Sequence, residues 1–248
     1  MTLLATERIK LFTTRSPWWS MLLALALSIG FASLIAANVN GRNLSVDVAE
    51  SGYQFSLVVM MVMAALAVTT EYRFSTIRVS FQAVPNRTAL LLAKTAVVAA
   101  LAAVIGEVAA FASLAVARLI HPSVDLALNT EQAWRNVAGM GLVYAVTAVI
   151  AVAVGILIRQ TAGAVAILLI YSLLVENLVT LIPRIGTDIQ KWMPFTEANN
   201  FLVGGAPNAG GRLVENMPLS PWGSLAYFAG IGAVLLIIAL VTANRRDA

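Results

Sequence analysis

Two glutamates stand alone inside long apolar runs of this 248-residue chain, and their type and position allow chemistry. Glu107 and Glu176 each lie near the middle of a run long enough to cross a bilayer. An ionised carboxylate there costs about 2.5–3.5 kcal/mol, so each needs a proton, a water molecule or a hydrogen-bond partner. Two roles are open: a contact on a transport path, or a structural hydrogen bond between packed helices. Ser172 and Thr180 extend a polar stripe that favours the first role for Glu176, whereas flanking alanines favour the second for Glu107.

Other kinds of reactive site find little support in the sequence. His121 is the single histidine and no second ligand is near it, so a metal site is not expected. The absence of cysteine excludes disulfides and thiolate metal sites. None of the three lysines follows the glycine pair of a phosphate-binding loop. We therefore expect no catalytic residue, metal or cofactor in this chain, no nucleic-acid partner, and no binding of ATP.

The elements that must position these residues are membrane helices. The chain is 60% apolar and 11% charged, with a mean hydropathy of +0.85, whereas soluble domains have about 25% charged residues. Six windows are long enough to span a bilayer. They are residues 19–37, 53–70, 95–117, 136–158, 161–183 and 223–243. We predict one all-α integral membrane domain over residues 1–248, with no room for a separate soluble catalytic domain.

A charged stretch between the second and third windows predicts an amphipathic helix over residues 71–87. It reads EYRFSTIRVSFQAVPNR, and the next helix enters the bilayer after Lys94. In this pattern Phe74, Ile77 and Phe81 would face the membrane or a partner, whereas Arg73 and Arg78 would face water or a partner's acidic groups. Such a helix can dock on another protein. The alternative is a positively charged loop that only fixes topology.

Both ends of this amphipathic stretch carry helix signals. The predicted helix begins near Glu71, and Pro85 ends it because proline cannot continue the hydrogen-bond ladder. Asn86 is a suitable cap for the third spanning helix. Arg87 follows at the start of that helix. We assign the predicted docking surface to Glu71, Arg73, Phe74, Ile77, Arg78, Phe81, Pro85 and Arg87.

Residues 1–17 predict a short helix at the membrane interface. Glu7, Lys10 and Arg15 are its charged residues, and Trp18 and Trp19 follow as an aromatic belt. A signal peptide is the competing interpretation. The apolar run is about 18 residues long, which exceeds the usual core of roughly 7–15 residues in such peptides.

The longest connection, residues 184–222, is rich in proline and glycine but also in aromatic residues. We expect short helices there that lie on the outer face or dip into it. Ten of the 16 basic residues fall on the side of the N-terminus and six on the other side. The positive-inside rule therefore places both termini and the 71–87 stretch in the cytoplasm.

The sequence resembles ABC-2 type transporter permeases. Their cytoplasmic loop has an E-Y-R-x-[GS]-T-I-R pattern, then P-x-R and a leucine-rich helix with a lysine, here Glu71 to Arg78, Pro85 to Arg87 and Lys94. Family members often have glycine at the position of Ser75. The opening Thr6-Glu7…Trp18-Trp19 is similar to that of actinobacterial members, and Glu176-Asn177-Leu178 is similar to their fifth helix.

The resemblance implies an exporter subunit that does no chemistry itself. It would dimerise, as a homodimer or a heterodimer, and bind two ATPase subunits that hold ATP and Mg²⁺. The 71–87 helix would be the coupling helix, with the N-terminal helix packed beside it. Replacing Arg78 or Phe81 by Asp is then expected to uncouple ATP hydrolysis from transport. Drugs, lipids and amphipathic peptides are all compatible substrates.

Three other functions are open from the residues alone. A proton-coupled secondary transporter would use Glu107 or Glu176 as a proton carrier, although no internal repeat typical of such folds is visible. A membrane enzyme would use a glutamate as general acid or base, but no convergent set of titratable groups accompanies one. A non-transporting scaffold or immunity subunit would keep the docking helix. Copurification with an ATPase would distinguish the permease from the secondary transporter and from the membrane enzyme.

Overall fold

Helices account for almost all regular structure in the computed structural model, which describes residues 2–84, 86–204 and 217–245. No strand occurs in these ranges. Six helical segments are long and apolar enough to cross a membrane, which confirms the predicted all-α fold with six spans. They are Arg15–Asn38, Val46–Arg73, Arg87–Ile120, Met140–Ile158, Thr161–Leu181 and Pro221–Arg245.

The helices in chain order are α1 to α13. Their bounds are α1 Leu3–Thr13, α2 Arg15–Asn38, α3 Val46–Glu50, α4 Tyr53–Arg73, α5 Thr76–Ala83, α6 Arg87–Ile120, α7 Glu131–Ala138, α8 Met140–Ile158, α9 Thr161–Leu169, α10 Glu176–Leu178, α11 Gly186–Lys191, α12 Pro194–Val203 and α13 Pro221–Arg245. A 3₁₀ turn spans Gly41–Asn43. The fifth span is irregular: α9 continues through a π-helical segment, Ile170–Val175, then α10 and a 3₁₀ turn, Val179–Leu181.

The centre of the bundle is formed by the second, third and fourth spans. Helix α8 packs against α4, α6 and α13, and α2 packs against α4 and α6. The second and fourth spans have 61% of their most apolar window buried, whereas the fifth and sixth have 17%. The last two spans therefore lie at the periphery, where their apolar side chains meet lipid or a partner.

Short helices cluster at the two ends of the bundle. Helices α1 and α5 lie at the end where α4 finishes and α6 starts. Helices α3, α7, α11 and α12 lie at the other end, where α7 packs against both α3 and α12. Two of these, α11 and α12, fall within residues 184–222, where short helices were predicted; residues 205–216 of that region lie outside the described residues.

The boundaries of two elements differ from the sequence-based prediction. Helix α7 was predicted as loop, although Thr130 caps it by accepting from Ala133 N at 3.1 Å. The helix predicted over residues 71–87 is shorter, because α4 runs to Arg73 and α5 begins only at Thr76. Ser75 lies between them with φ +57°, a left-handed conformation that interrupts an α-helix.

Candidate functional site

Helix α5 is the element predicted to dock on a partner, and its two faces differ. Ile77 and Phe81, four residues apart, are buried against the bundle at 2% and 9% exposure. Arg78 and Val79 are exposed. Phe74, just before the helix, is 67% exposed. The arrangement is a helix held to the permease by one face and presenting a mixed cationic and apolar face to the outside.

This geometry corrects the predicted orientation of two side chains. Ile77 and Phe81 were expected to face the membrane or a partner, but they pack inside this chain because i and i+4 residues share one helical face. The guanidinium of Arg87 lies 5.2 Å from the centre of the Phe81 ring. Arg73 is exposed beside Phe74. Pro85 lies outside the described residues.

A cluster of two carboxylates and two ammonium groups lies directly beneath α5. Lys94 Nζ donates to Glu71 Oε1 at 2.9 Å and also to Glu7 Oε2. Lys10 Nζ donates to Glu7 Oε1 at 2.9 Å and lies 3.6 Å from Glu71 Oε1. It also donates to Ser80 Oγ at 3.0 Å. We call Glu7, Lys10, Glu71 and Lys94 the inner ion cluster.

The inner ion cluster joins three helices, and Ser80 links it to a fourth. Glu7 and Lys10 belong to α1, Glu71 to α4 and Lys94 to α6, and Ser80 connects α5. The side chains of Glu7 and Lys94 are 2% and 5% exposed. A buried charge of this kind is tolerated only when it is paired and hydrogen-bonded, so the helices are held in one arrangement.

Glu7 and Lys10 have shifted pKa values because of this pairing. Burial by itself would raise the pKa of Glu7, but Lys94 and Lys10 outweigh that effect and the pKa is lowered from 4.5. Burial would lower the pKa of Lys10, but hydrogen bonding and attraction from Glu7 and Glu71 raise it above 10.5. Both groups are therefore ionised over the whole range between these values.

Sequence reasoning named Glu7, Lys10 and Glu71 as members of two separate surfaces, whereas the structure brings them together. Glu71 was assigned to the docking surface, but its carboxylate points into the inner ion cluster. Arg15, the third residue of the predicted interfacial set, begins α2 and is exposed. Lys94 was noted only as part of the family pattern. The available signal was an isolated lysine at the start of an apolar helix, which requires an anion nearby.

At the other end of the bundle, Glu176 is buried and holds a helix N-terminus. Its Oε1 accepts from Phe195 N at 2.9 Å, and its Oε2 accepts from Thr196 N at 2.9 Å and from the Thr196 hydroxyl at 3.1 Å. These amides belong to the first turn of α12, where N–H groups have no partner within the helix. A carboxylate there is stabilised by the helix dipole. Helix α12 is thereby fixed to the fifth span.

The polar stripe predicted around Glu176 is not continuous in the structure. Ser172 lies in the π-helical segment and donates to Leu168 O at 2.9 Å. Thr180 lies in the following 3₁₀ turn and donates to Asn177 O at 2.7 Å. The regular α-helical spacing assumed for the stripe does not apply, because the helix changes type twice between these residues. A role of Glu176 in a transport path stays a prediction.

Glu107 also lies at a helix N-terminus, but its contact is weaker. Its Oε1 accepts from Gly141 N, in the first turn of α8, at 3.3 Å. A Cβ added to Gly141 would lie 2.6 Å from that oxygen and 2.8 Å from Ala103 O. Glycine is therefore needed for this close approach of α6 and α8. Glu107 is half-buried, and any role in transport stays a prediction.

Sequence reasoning missed two further buried acids at this end. Glu50, at the end of α3, is 2% exposed, and Glu197, in α12, is 0% exposed. Burial raises the pKa of Glu197 above its usual value of 4.5. Both acids lie outside the apolar windows, so sequence gave no reason to expect burial. Glu50, Glu107, Glu176 and Glu197 are hereafter the outer carboxylates, and none forms a salt bridge within the ranges the structure describes.

Two tyrosines connect α4, α8 and α12 at this end of the bundle. Tyr144 on α8 donates to the carbonyl of Tyr53 at 3.0 Å, and the Tyr53 hydroxyl donates to Asn199 Oδ1 on α12 at 3.0 Å.

His121, at the end of α6, has its Nε2 2.7 Å from Ala36 O. Among the described residues, no three His, Asp or Glu side chains are grouped so that they could hold a metal ion.

The comparisons with known proteins address the permease assignment directly. Residues 3–175 match a family described as ABC-2 family transporter protein. The matched range contains α1, α5 and all four residues of the inner ion cluster, and it ends immediately before Glu176. A search of curated proteins gives no match. With well over half of its length matched and six apolar spans, the chain belongs to the ABC-2 transporter family and is a multi-pass membrane protein.

Proposed function

We propose that this chain is the permease subunit of an ATP-driven exporter in the cytoplasmic membrane. In this proposal both termini and α5 are cytoplasmic, and separate ABC ATPase subunits bind ATP and Mg²⁺. The observation that carries the proposal is the two-faced helix α5, which is anchored by Ile77 and Phe81 and exposes Arg78 and Val79. Placement in the ABC-2 family supports it.

The inner ion cluster gives α5 the rigidity that coupling requires. A force applied to α5 passes through Ser80 and Lys10 to Glu7 and Glu71, and through Lys94 to α6. Packed elements of this kind move as bodies between discrete arrangements rather than deforming continuously. Closure of two ATPase subunits would therefore move α1, α4 and α6 together. The step is mechanical, and the chemistry takes place in the partner.

A second permease subunit is part of the proposal. The fifth and sixth spans are the least buried together with the first. The fifth span exposes Ile170, Leu173 and Leu174 on its surface. A partner permease seated there would enclose a path for a hydrophobic or amphipathic substrate, such as a drug, lipid or peptide. Glu176 lies on the same span, at the point where that path would reach the outer face.

Acidic substitutions on the exposed face of α5 test this function. In a reconstituted complex with a copurifying ATPase, Arg78→Asp and Val79→Asp are expected to weaken ATPase binding and abolish ATP-dependent transport, while the permease still folds. Arg184→Asp is the matched control, because Arg184 is exposed in the region after the fifth span. Phe81→Asp is a different experiment, since a buried charge there would unfold the anchor rather than remove a contact.

The outcomes separate the candidate functions. Full transport and normal ATPase binding in both α5 variants would overturn the proposed coupling. Transport by the permease alone, driven by a proton gradient, would favour the secondary-transporter alternative. An ATPase complex that moves no substrate would favour a scaffold or immunity role.

A further inference from the structure

A cavity of about 490 Å³ lies between α1, the start of α2, α4, α5 and α6. This volume falls within the range of about 300–1,000 Å³ typical of small-molecule sites. None of the described residues that line it belongs to the fifth span, where a second subunit is proposed. The position of the cavity beside α5 does not identify what binds there, but the residues that line the cavity do.

The lining of the cavity changes from apolar to charged along the bundle axis. Met63, Leu66 and Ala67 on α4 and Val97 and Val98 on α6 form the apolar end. The inner ion cluster forms the other end, together with hydroxyl groups of α1, α2, α4 and α5. From Met63 to Glu71 the helix rises about 12 Å at 1.5 Å per residue. The cavity is therefore amphipathic, with its apolar end inside the bilayer and its polar end at the surface.

The charge that a ligand can reach at the polar end is positive. The Lys10 side chain is 37% exposed, whereas those of Glu7, Lys94 and Glu71 are 2%, 5% and 13% exposed. An ammonium group has three donors. Lys10 uses two at 2.9 and 3.0 Å, and its remaining contact, to Glu71, is 3.6 Å long. A carboxylate or phosphate is the head group that this arrangement fits.

We propose that this cavity binds a single-chain amphiphile with an anionic head from the adjoining membrane leaflet. The alkyl chain lies against α4 and α6, and the head group contacts Lys10. A cationic amphiphile is disfavoured, because the side chains of Glu7 and Glu71 are only 2% and 13% exposed and each accepts from Lys94. Occupancy fills the space between α1, α5 and the bundle, so the ligand packs directly on the elements that the inner ion cluster connects.

Binding is tested on the purified permease alone, in nanodiscs of phosphatidylcholine, with a long-chain fatty acid that carries a photoreactive diazirine near its tail. Mapped by mass spectrometry, the label is expected on α4 near Leu66 and on α6 near Val97. Ala67→Trp, which fills the apolar end, is expected to lower this labelling about tenfold, equivalent to about 1.4 kcal/mol. Ala26→Trp is the control, because Ala26 is exposed on α2 away from the cavity lining.

The charge of the head group is tested separately, with a Lys10 variant and with competing amphiphiles. Lys10→Met is expected to weaken labelling about threefold to fivefold, the factor that a partly exposed ion contact of up to about 1 kcal/mol produces. Palmitate and lysophosphatidic acid should both compete, whereas hexadecylamine should not. A large advantage of one anion over the other identifies the head as carboxylate or phosphate.

Two results would overturn the proposal. One is labelling that Ala67→Trp leaves unchanged in a folded protein, or that falls equally in Ala26→Trp, since either would mean ordinary surface lipid. The other is equal competition by hexadecylamine and palmitate. Because no ATPase is present in the experiment, neither result bears on the coupling function proposed above.

Discussion

The two ends of the bundle bury carboxylates in different ways. At the inner end, Glu7 and Glu71 are paired with two lysines, Lys10 on α1 and Lys94 on α6. At the outer end, Glu107 and Glu176 accept from backbone amides of helix N-termini. Breaking a buried ion pair typically costs about 3–5 kcal/mol, whereas the interaction of a charge with a helix end contributes about 0.3–2 kcal/mol. Removing one partner at the inner end is therefore expected to cost more stability than removing one at the outer end.

This difference suits a protein that is driven from one side. Under the proposed coupling, the inner ion cluster would transmit movement of α5 to α1, α4 and α6. The outer end, where Glu176 positions one short helix, would rearrange as the bundle moves. The π-helical segment Ile170–Val175, next to Glu176, belongs to a class of irregularity frequent at functional sites.

The largest expected effect comes from removing the shared cation. Lys94→Met leaves Glu7 and Glu71 with Lys10 alone, and we expect it to lower the free energy of unfolding by about 3–5 kcal/mol. Lys191→Met is the matched control: Lys191 pairs with the exposed Asp188 at 3.3 Å, a contact of about 1 kcal/mol or less. Denaturant unfolding in detergent measures both. Equal losses would remove the distinction between a buried cluster and a surface pair.

The second prediction concerns pH. Glu7→Gln is expected to cost about 1.5–3 kcal/mol at pH 7, since hydrogen bonds to a charged group are lost. Because the pKa of Glu7 is lowered from 4.5 in the folded protein, its contribution is present above 4.5 and is lost as pH falls through the folded value. Unfolding curves of the wild type and Glu7→Gln should therefore converge in acid. A gap that stays constant from pH 7 to below the folded value would show that the charge is not what Glu7 supplies.

Substitution of Glu176 at the outer end should cause a smaller loss of stability, and the change should be local. Glu176→Ala removes the acceptor of Phe195 N and Thr196 N, and we expect a loss of about 1–2 kcal/mol, typical of a helix cap. Hydrogen exchange should accelerate at those two amides and leave α1 and α5 unchanged. Glu176→Gln keeps one acceptor oxygen and should show a smaller effect. Faster exchange throughout the protein would mean that the outer carboxylate supports the whole bundle.

The smallest effect is a gain of stability at the junction of α4 and α5. Ser75 has φ +57°, a conformation that costs a non-glycine residue about 1–2 kcal/mol. Ser75→Gly relieves this strain but adds freedom to the unfolded chain, so the expected gain is up to about 1 kcal/mol. Ser75→Ala is the control and should give no gain. A loss of stability in Ser75→Gly would show that the serine hydroxyl, rather than the backbone, sets this junction.

The conformation of Ser75 is a feature that the sequence did not indicate. Glycine is the residue that adopts a left-handed conformation most readily, and this chain has serine at the position. From the sequence alone, serine gave no sign of a break, so one helix was predicted over residues 71–87. The structure instead ends α4 at Arg73 and starts α5 at Thr76.

Features that depend on residues close together in the sequence could be predicted, whereas contacts between residues far apart in the sequence could not. The six spans were predictable because about 20 apolar residues in a row determine a membrane helix locally. The cap at Asn86 was also local, and it is confirmed by the bond from Ala89 N at 2.9 Å. The pairing of Glu7 with Lys94, 87 residues apart, could not be predicted, because no local pattern encodes which helices meet.

The same limit applies to the outer carboxylates. Glu176 was predictable as a buried acid, since it lies within an apolar window. Its partners, Phe195 and Thr196, are backbone amides, and the sequence does not show which helix start a carboxylate will reach. Glu197 lay in a segment with no apolar window, and its burial depends on the packing of α12 against α7 and α13.

Cross-linking from the exposed face of α5 tests the central claim most directly. The chain contains no cysteine, so Val79→Cys carries a single photoreactive maleimide without further changes. With a copurifying ABC ATPase present, we predict a permease–ATPase adduct from Val79→Cys and none from Leu181→Cys, an exposed position at the end of the fifth span. No adduct at position 79 in an intact complex, or equal adducts from both positions, would contradict the account.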